Sequence, residues 1–161
     1  MVTVRRAVQA DAQALLTLLN GIIRRGGTTA MQYEWSIGEM TALIANPECL
    51  VNIAEDRDSG AMLGFQYIEP EDRLPKDMAD IATFVAPDGT RSGVGRALTD
   101  MTCAEARSLG WRALDATIRA DNPAGLAFYD AMGFRDYHVY RSIPLSDGTP
   151  VDRISKKRNL D

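Results

Sequence analysis

TRSGVGRALTD, residues 90–100, sets two glycines two positions apart with an arginine on either side. An apolar run, DIATFVAP (80–87), comes just before it, and a helical pattern follows. Where a strand hands over to a helix, the first backbone N–H groups of the helix have no internal partner. Together with the helix dipole they favour an anion at that end. Gly93 and Gly95 remove side chains that would hold a phosphate away from the backbone, and Arg91 and Arg96 add positive charge. A plain turn carries the same residues, so the neighbouring elements have to decide. A P-loop is excluded because no Gly-Lys-Ser/Thr follows the first glycine at the required distance. A dinucleotide fingerprint is excluded because its last small position falls on Leu98.

Upstream, residues 3–7 alternate as a short strand. Asp11 stands where it can cap the next helix, whose Leu15, Leu18, Leu19 and Ile22 fall on one face. Gly26 and Gly27 end that helix. Ser36, with Glu39 three residues on, has capping-box spacing and predicts a second helix over 37–45. Residues 49–54 and 61–68 flank the turn DRDSG as a hairpin. Residues 78–85 are apolar and partly β-branched, as a buried central strand requires. Downstream, Val94, Ala97, Leu98, Met101 and Ala104 mark one face of a helix that Gly110 ends. A strand over 111–118 follows. Asn122 and Pro123 are an N-cap and a first-turn proline for a helix that reaches Met132 and stops at Gly133. Residues 137–143 and 151–155 form a last antiparallel pair around Ser146-Asp147-Gly148. This order predicts an α/β fold: one mixed sheet of about seven strands with about four helices, antiparallel at first and parallel at the glycine turn.

At 161 residues the chain is read as a single domain over 1–161. A net charge of −4 argues against a nucleic-acid partner. One histidine, His138, and two distant cysteines, Cys49 and Cys103, leave no zinc pattern, and no metal is expected. The thiols are read as reduced, and His138 as structural. The first residues lack the apolar segment of a signal peptide, and no apolar run nears the ~20 residues of a membrane span. The expectation is a cytoplasmic protein with no membrane partner.

A third loop pattern fits. Val85-x-Pro87, five intervening residues, then Gly93-x-Gly95-x-x-Leu98 resembles the acyl-CoA site of the GNAT acetyltransferase superfamily. Asn122, Tyr129, Gly133 and Phe134 resemble that family's second signature, N-x-x-A-x-x-x-Y-x-x-x-G-F, with Gly125 in the place of its alanine. The element order matches as well. One departure stands in the loop: the family's Arg/Gln is Thr90 here, and Arg91 comes one position late.

The resemblance implies acetyl-CoA as acetyl donor and a primary amine as acceptor, with direct attack on the thioester. It places the pyrophosphate on the backbone of residues 92–96, so that Arg91, Ser92, Gly93, Val94, Gly95, Arg96 and Ala97 line the donor site. It places the pantetheine arm on the strand backbone near Thr83 to Val85, at Phe84 and Val85 above all, with Asn122 beside it. Tyr129 becomes the general acid for the departing thiolate. The base is read as Asp80, the carboxylate inside the central strand, with Glu69, Glu71 and Glu34 as loop alternatives. Asp80 and Val85 are five apart, so regular pleating puts them on opposite faces unless a bulge intervenes. The acceptor site is expected between the GGTTAMQYEW loop (26–35) and the last hairpin, with Thr28, Thr29 and Glu34 binding a small polar amine such as an amino acid, its analogue or a polyamine. A protein N-terminus or lysine is a variant acceptor. A non-catalytic acyl-CoA sensor and a mononucleotide-phosphate binder are the competing classes. A homodimer paired through exposed late strands is the expected assembly.

Overall fold

The computed structural model describes residues 1–87 and 93–161. Strand β1 is Val2–Arg6, helix α1 Ala12–Arg25, α2 Ile37–Ala45, β2 Leu50–Asp56, β3 Met62–Pro70 and β4 Met78–Val85. Helix α3 is Val94–Ser108, β5 Ala113–Arg119, α4 Pro123–Ala131, β6 Arg135–Pro144 and β7 Pro150–Asn159. The strands make one seven-stranded sheet in the order β1-β2-β3-β4-β5-β7-β6. Its neighbours are antiparallel except β4 and β5, which the α3 crossover makes parallel. The order of elements and the mixed sheet are those expected from the sequence. Among the described residues no helix is long and apolar enough to cross a membrane.

Alternation along the strands divides the core. Val51, Ile53, Phe65, Tyr67 and Phe84 pack with Leu15, Leu19, Met40 and Leu43 of α1 and α2. Ile68, Ala79, Ile81, Leu114, Ala116 and Ile118 pack on the other face with Cys103, Ala106, Tyr129 and Phe134. Cys49 and Cys103 are buried in different clusters, so burial keeps each thiol among apolar side chains.

Local chemistry accounts for the helix ends. Ser36 Oγ accepts from the Glu39 N–H, and the Glu39 carboxylate accepts from the Ser36 N–H, closing the capping box. Asn122 Oδ1 accepts from the Gly125 N–H, with Pro123 at the first helical position. Asp11 does not cap α1. A single 3-10 turn over Gln9–Asp11 comes first, and the Asp11 carboxylate takes the Val8 N–H and the Arg5 guanidinium instead.

The buried face of α3 also departs from the apolar reading. Val94 and Leu98 are inside as expected, but Ala104 is exposed, Ala97 and Met101 are half-buried, and Thr99, Thr102, Cys103 and Ala106 are buried. The cause is a polar seam across the sheet. Arg6, Asn52, Gln66 and Thr83 stand in register on four adjacent strands. Asn52 Nδ2 donates to Thr102 Oγ1 (3.1 Å) and Glu105 (2.8 Å), Gln66 Nε2 donates to Thr99 Oγ1 (3.0 Å), and Arg6 pairs with Glu105. The helix therefore docks with its threonines inward. The last two strands run longer than the expected 137–143 and 151–155. Polar residues 156–159 continue the ladder because all four pair with β5, and Lys156 and Lys157 with β6 as well.

Candidate active site

The parallel pairing of β4 with β5 covers three residue pairs, Met78↔Ala113, Ala79↔Leu114 and Asp80↔Asp115. Beyond them β4 stays paired to β3 as far as Val85, while β5 stays paired to β7 as far as Arg119. The two strands thus part, leaving the second half of β4 open on one edge. The β3–β4 register is continuous, so no bulge occurs, and Asp80 and Val85 lie on opposite faces as pleating requires.

On the Val85 side the parting meets the start of α3. Val85 packs against Val94 and Leu98. Gly93 is the N-cap, in the left-handed region at φ 70° and ψ 21°, with no side-chain cap bond to the helix. The first N–H groups of α3 are free of intrahelical partners by construction. Gly95 has a further reason to lack a side chain: a Cβ there would sit 2.4 Å from the Phe128 ring of α4. Arg96 is exposed and Ala97 half-buried. Thr90, Arg91 and Ser92 lie outside the described residues. The Phe84 side chain points into the opposite core, its ring 5.1 Å from Phe65, so only its backbone faces this edge.

Tyr129 enters the same region from α4. It is buried, edge-on to Phe128 and Phe134, and its hydroxyl lies 2.8 Å from Thr83 Oγ1 on the open half of β4. Burial pushes its phenol well above the ordinary tyrosine range, while the Thr83 hydrogen bond pulls the other way.

Asp80 occupies the opposite face, at the last rung before the strands part. Arg73 Nη2 bridges it (3.0 Å) and Asp115 (3.1 Å). Asp115 is fully buried; Thr117 Oγ1 donates to it at 2.8 Å and the Tyr137 hydroxyl donates to its other oxygen. Glu69 is the cross-strand neighbour of Asp80, and Glu69, Glu71 and Asp80 have carboxylate oxygens within 4.8 Å of one another. Burial first, and Asp115 second, push the Asp80 carboxyl up to about 8, against the pull of Arg73. Burial and Glu71 raise Glu69 as well.

A cleft of about 510 Å³ opens where the 26–35 loop meets the last hairpin, lined by Gly27, Tyr33, Glu34, Arg119, Leu145 and Ser146 among others. Of the expected acceptor residues, Glu34 lines it and is paired with Arg24 at 3.2 Å. Thr28 and Thr29 hold the loop in place: the Thr28 carbonyl accepts from Asn122 Nδ2, the Thr29 carbonyl accepts from Arg119, and Thr29 Oγ1 accepts from the Met31 N–H. His138 is exposed, edge-on to Tyr140.

The family model described as acetyltransferase (GNAT) family matches residues 18–134. The chain belongs to the GNAT acetyltransferase family. It is 27% identical over 165 residues to phosphinothricin N-acetyltransferase of Alcaligenes faecalis, covering 99% of this chain and 83% of that one. It is 37% identical over 65 residues to the ribosomal protein bS18-alanine N-acetyltransferase of Escherichia coli K12, a match limited to 40% of this chain and 44% of that one. Among solved structures, an acetyltransferase of Salmonella typhimurium described with acetyl-CoA superposes with a TM-score of 0.89 at 19% identity, covering 100% of this chain and 95% of the other. A phosphinothricin acetyltransferase of Sinorhizobium meliloti in complex with AcCoA gives 0.87 at 23% identity, covering 99% and 88%. These likenesses establish the GNAT fold over the whole of the described chain.

Sequence reasoning missed three members of this site, Asp115, Gln66 and Arg73, and the side-chain contact of a fourth, Thr83. Asp115 carried the same signal as Asp80, a carboxylate within an apolar strand. Gln66 reads as an ordinary strand residue, and Thr83 is expected to contribute only its backbone, to the pantetheine arm. Arg73 lies in a polar loop that no periodicity singles out.

Proposed function

We propose that residues 1–161 act as one N-acetyltransferase domain that moves an acetyl group from acetyl-CoA to the primary amine of a small molecule, an amino acid, its analogue or a polyamine. The observation that carries this is the parting of β4 and β5, with Tyr129 on one face and Asp80 on the other. A donor and an acceptor can then approach the same strand from opposite sides.

The residues fit such a donor. The N-terminus of α3, from Gly93 to Arg96, with Arg91 and Ser92 before it, takes the diphosphate on backbone N–H groups, while the Ala97 N–H is already committed to the Gly93 carbonyl at 3.0 Å and lines the site through its side chain alone. The open edge of β4 near Phe84 and Val85 takes the amides of the pantetheine arm, with Asn122 at the neighbouring helix start. Acetyl-CoA supplies a thioester, an activated acyl group. Asp80, ionised above a pKa of about 8, removes a proton from the incoming ammonium, since only a neutral amine can attack. Tyr129 holds a proton at Oη for the leaving sulfur. Glu34 and the cleft between the 26–35 loop and the last hairpin receive the acceptor, with Thr28 and Thr29 fixing the loop. The match to a small-molecule acetyltransferase runs nearly the full length of this chain, whereas the match to a protein acetyltransferase covers 40% of it. That balance favours a small amine.

The test is release of free CoA thiol from acetyl-CoA across a panel of amines, with wild type and Tyr129→Phe. Turnover with at least one small amine, and a loss of about 10²-fold or more in the variant with acetyl-CoA affinity retained, is expected. Tight acetyl-CoA binding with no thiol release on any amine would overturn the catalytic reading in favour of a sensor.

A further inference from the structure

Tyr129 does not stand alone. Thr99 Oγ1 donates to the Gly95 carbonyl at 2.8 Å, so its only hydrogen is committed and it accepts from Gln66 Nε2. The second hydrogen of Gln66 Nε2 goes to Thr83 Oγ1 at 2.9 Å. Thr83 therefore offers one lone pair to Gln66, and its hydrogen and second lone pair both remain for the Tyr129 oxygen at 2.8 Å, a contact in which either oxygen can donate; with Thr83 donating, its hydrogen is met as well. Gln66 is fully buried, and its Oε1 has no hydrogen-bond partner among the described residues. An unmet buried carbonyl costs stability, which an apolar residue under α3 would avoid. Gln66 is thus placed for what its two N–H groups hold.

We propose that Gln66 and Thr83 are positioning residues that fix the direction of the hydrogen bond to Tyr129, with Thr83 donating, so that the phenol hydrogen is free to point at the leaving sulfur. The proposal rests on the acid role given to Tyr129 above. In that step the neutral amine nitrogen forms the C–N bond, the C–S bond breaks and its electron pair stays on sulfur. The phenol gives sulfur its proton, and the proton shed by the amine nitrogen returns through water to the phenolate. Burial raises the cost of that phenolate, and Asp80 and Asp115 across the sheet raise it further. Thr83 opposes all three. A hydrogen bond to a charged oxygen is stronger than one to a neutral oxygen, so the Thr83 contact strengthens as the proton leaves. The reverse direction, Tyr129 donating to Thr83, would stabilise the neutral phenol and tie up the proton that the reaction needs.

The two directions predict opposite signs. With difluorotyrosine placed at position 129, so that the phenol ionises while the protein stays folded, its absorbance is titrated in the protein without substrates. Thr83→Val should raise the ionisation midpoint by about one pH unit, and Thr83→Ser should restore it. A midpoint that falls or stays put in Thr83→Val overturns the proposal. In turnover assays Thr83→Val should lower kcat by about tenfold with little change in the KM for acetyl-CoA. Combined with Tyr129→Phe it should cost nothing beyond Tyr129→Phe alone. Additive losses would overturn the relay while leaving Tyr129 as acid. Full activity in Tyr129→Phe would overturn the acid role and the relay with it.

Discussion

Asp115 touches no expected substrate, yet its replacement is expected to move the pH profile. If Asp80 is the base, it works only when ionised, so kcat/KM climbs as pH rises through a pKa of about 8. Asp80 and Asp115 each lie about 3 Å from the same Arg73 nitrogen. Their nearest oxygens are then at most about 6 Å apart, and at an effective dielectric of about 20 the repulsion is about 3 kcal/mol, or about 2 pH units. Asp115→Asn removes that repulsion and keeps groups that can meet Thr117 and Tyr137. The acidic limb should move toward lower pH by about 1 to 2 units, the smaller figure allowing for the exposed edge of the site. Arg73→Gln removes the opposing cation and should move the limb the other way. The assay is kcat/KM against pH for one amine throughout, so that the amine's own ionisation is constant. If the limb keeps its position in both variants, Asp80 is not the titrating base and the electrostatic reasoning fails.

The same raised carboxyl affects stability. Folded protein binds more protons than unfolded between about pH 4 and 8, so this group makes stability fall as pH rises through that window. Asp80→Asn should therefore abolish most activity while raising the melting temperature at pH 8.5 by about 10 °C or more, and leave it near wild type at pH 4. Gly95→Ala should cost about 1–3 kcal/mol by overpacking against Phe128, and Phe128→Leu in the same chain should recover part of it in thermal unfolding. Asn122→Ala should cost about 1 kcal/mol through the lost cap, read by denaturant unfolding.

Much of the fold was legible because its signals are local. The Ser36–Glu39 box and the Asn122-Pro123 start are short-range chemistry that tertiary contacts did not override. Asp11 failed as a cap because Arg5, on the preceding strand, competes for its carboxylate. The face of α3 was misread because threonine counts as polar in any periodicity, although Thr99 and Thr102 are buried against a glutamine and an asparagine supplied from two other strands. Such pairings depend on register, which a single sequence does not display. The site divides in the same way. Tyr129 and Asp80 could be named from spacing and from a charge in an apolar strand, whereas Arg73 acquires its place only when the loop folds over two carboxylates from different strands.

The parting of β4 from β5 has a mechanical consequence. Strands β1 to β4 form one raft, β7, β6 and β5 another, and three rungs join them. A molecule lodged between the rafts replaces missing rungs, so occupancy should stiffen the joint and slow hydrogen exchange at residues 81–85. The last rung is the Asp80–Asp115 pair itself, so a wider spread of the two rafts should draw the two carboxylates apart and lower the proton affinity of Asp80.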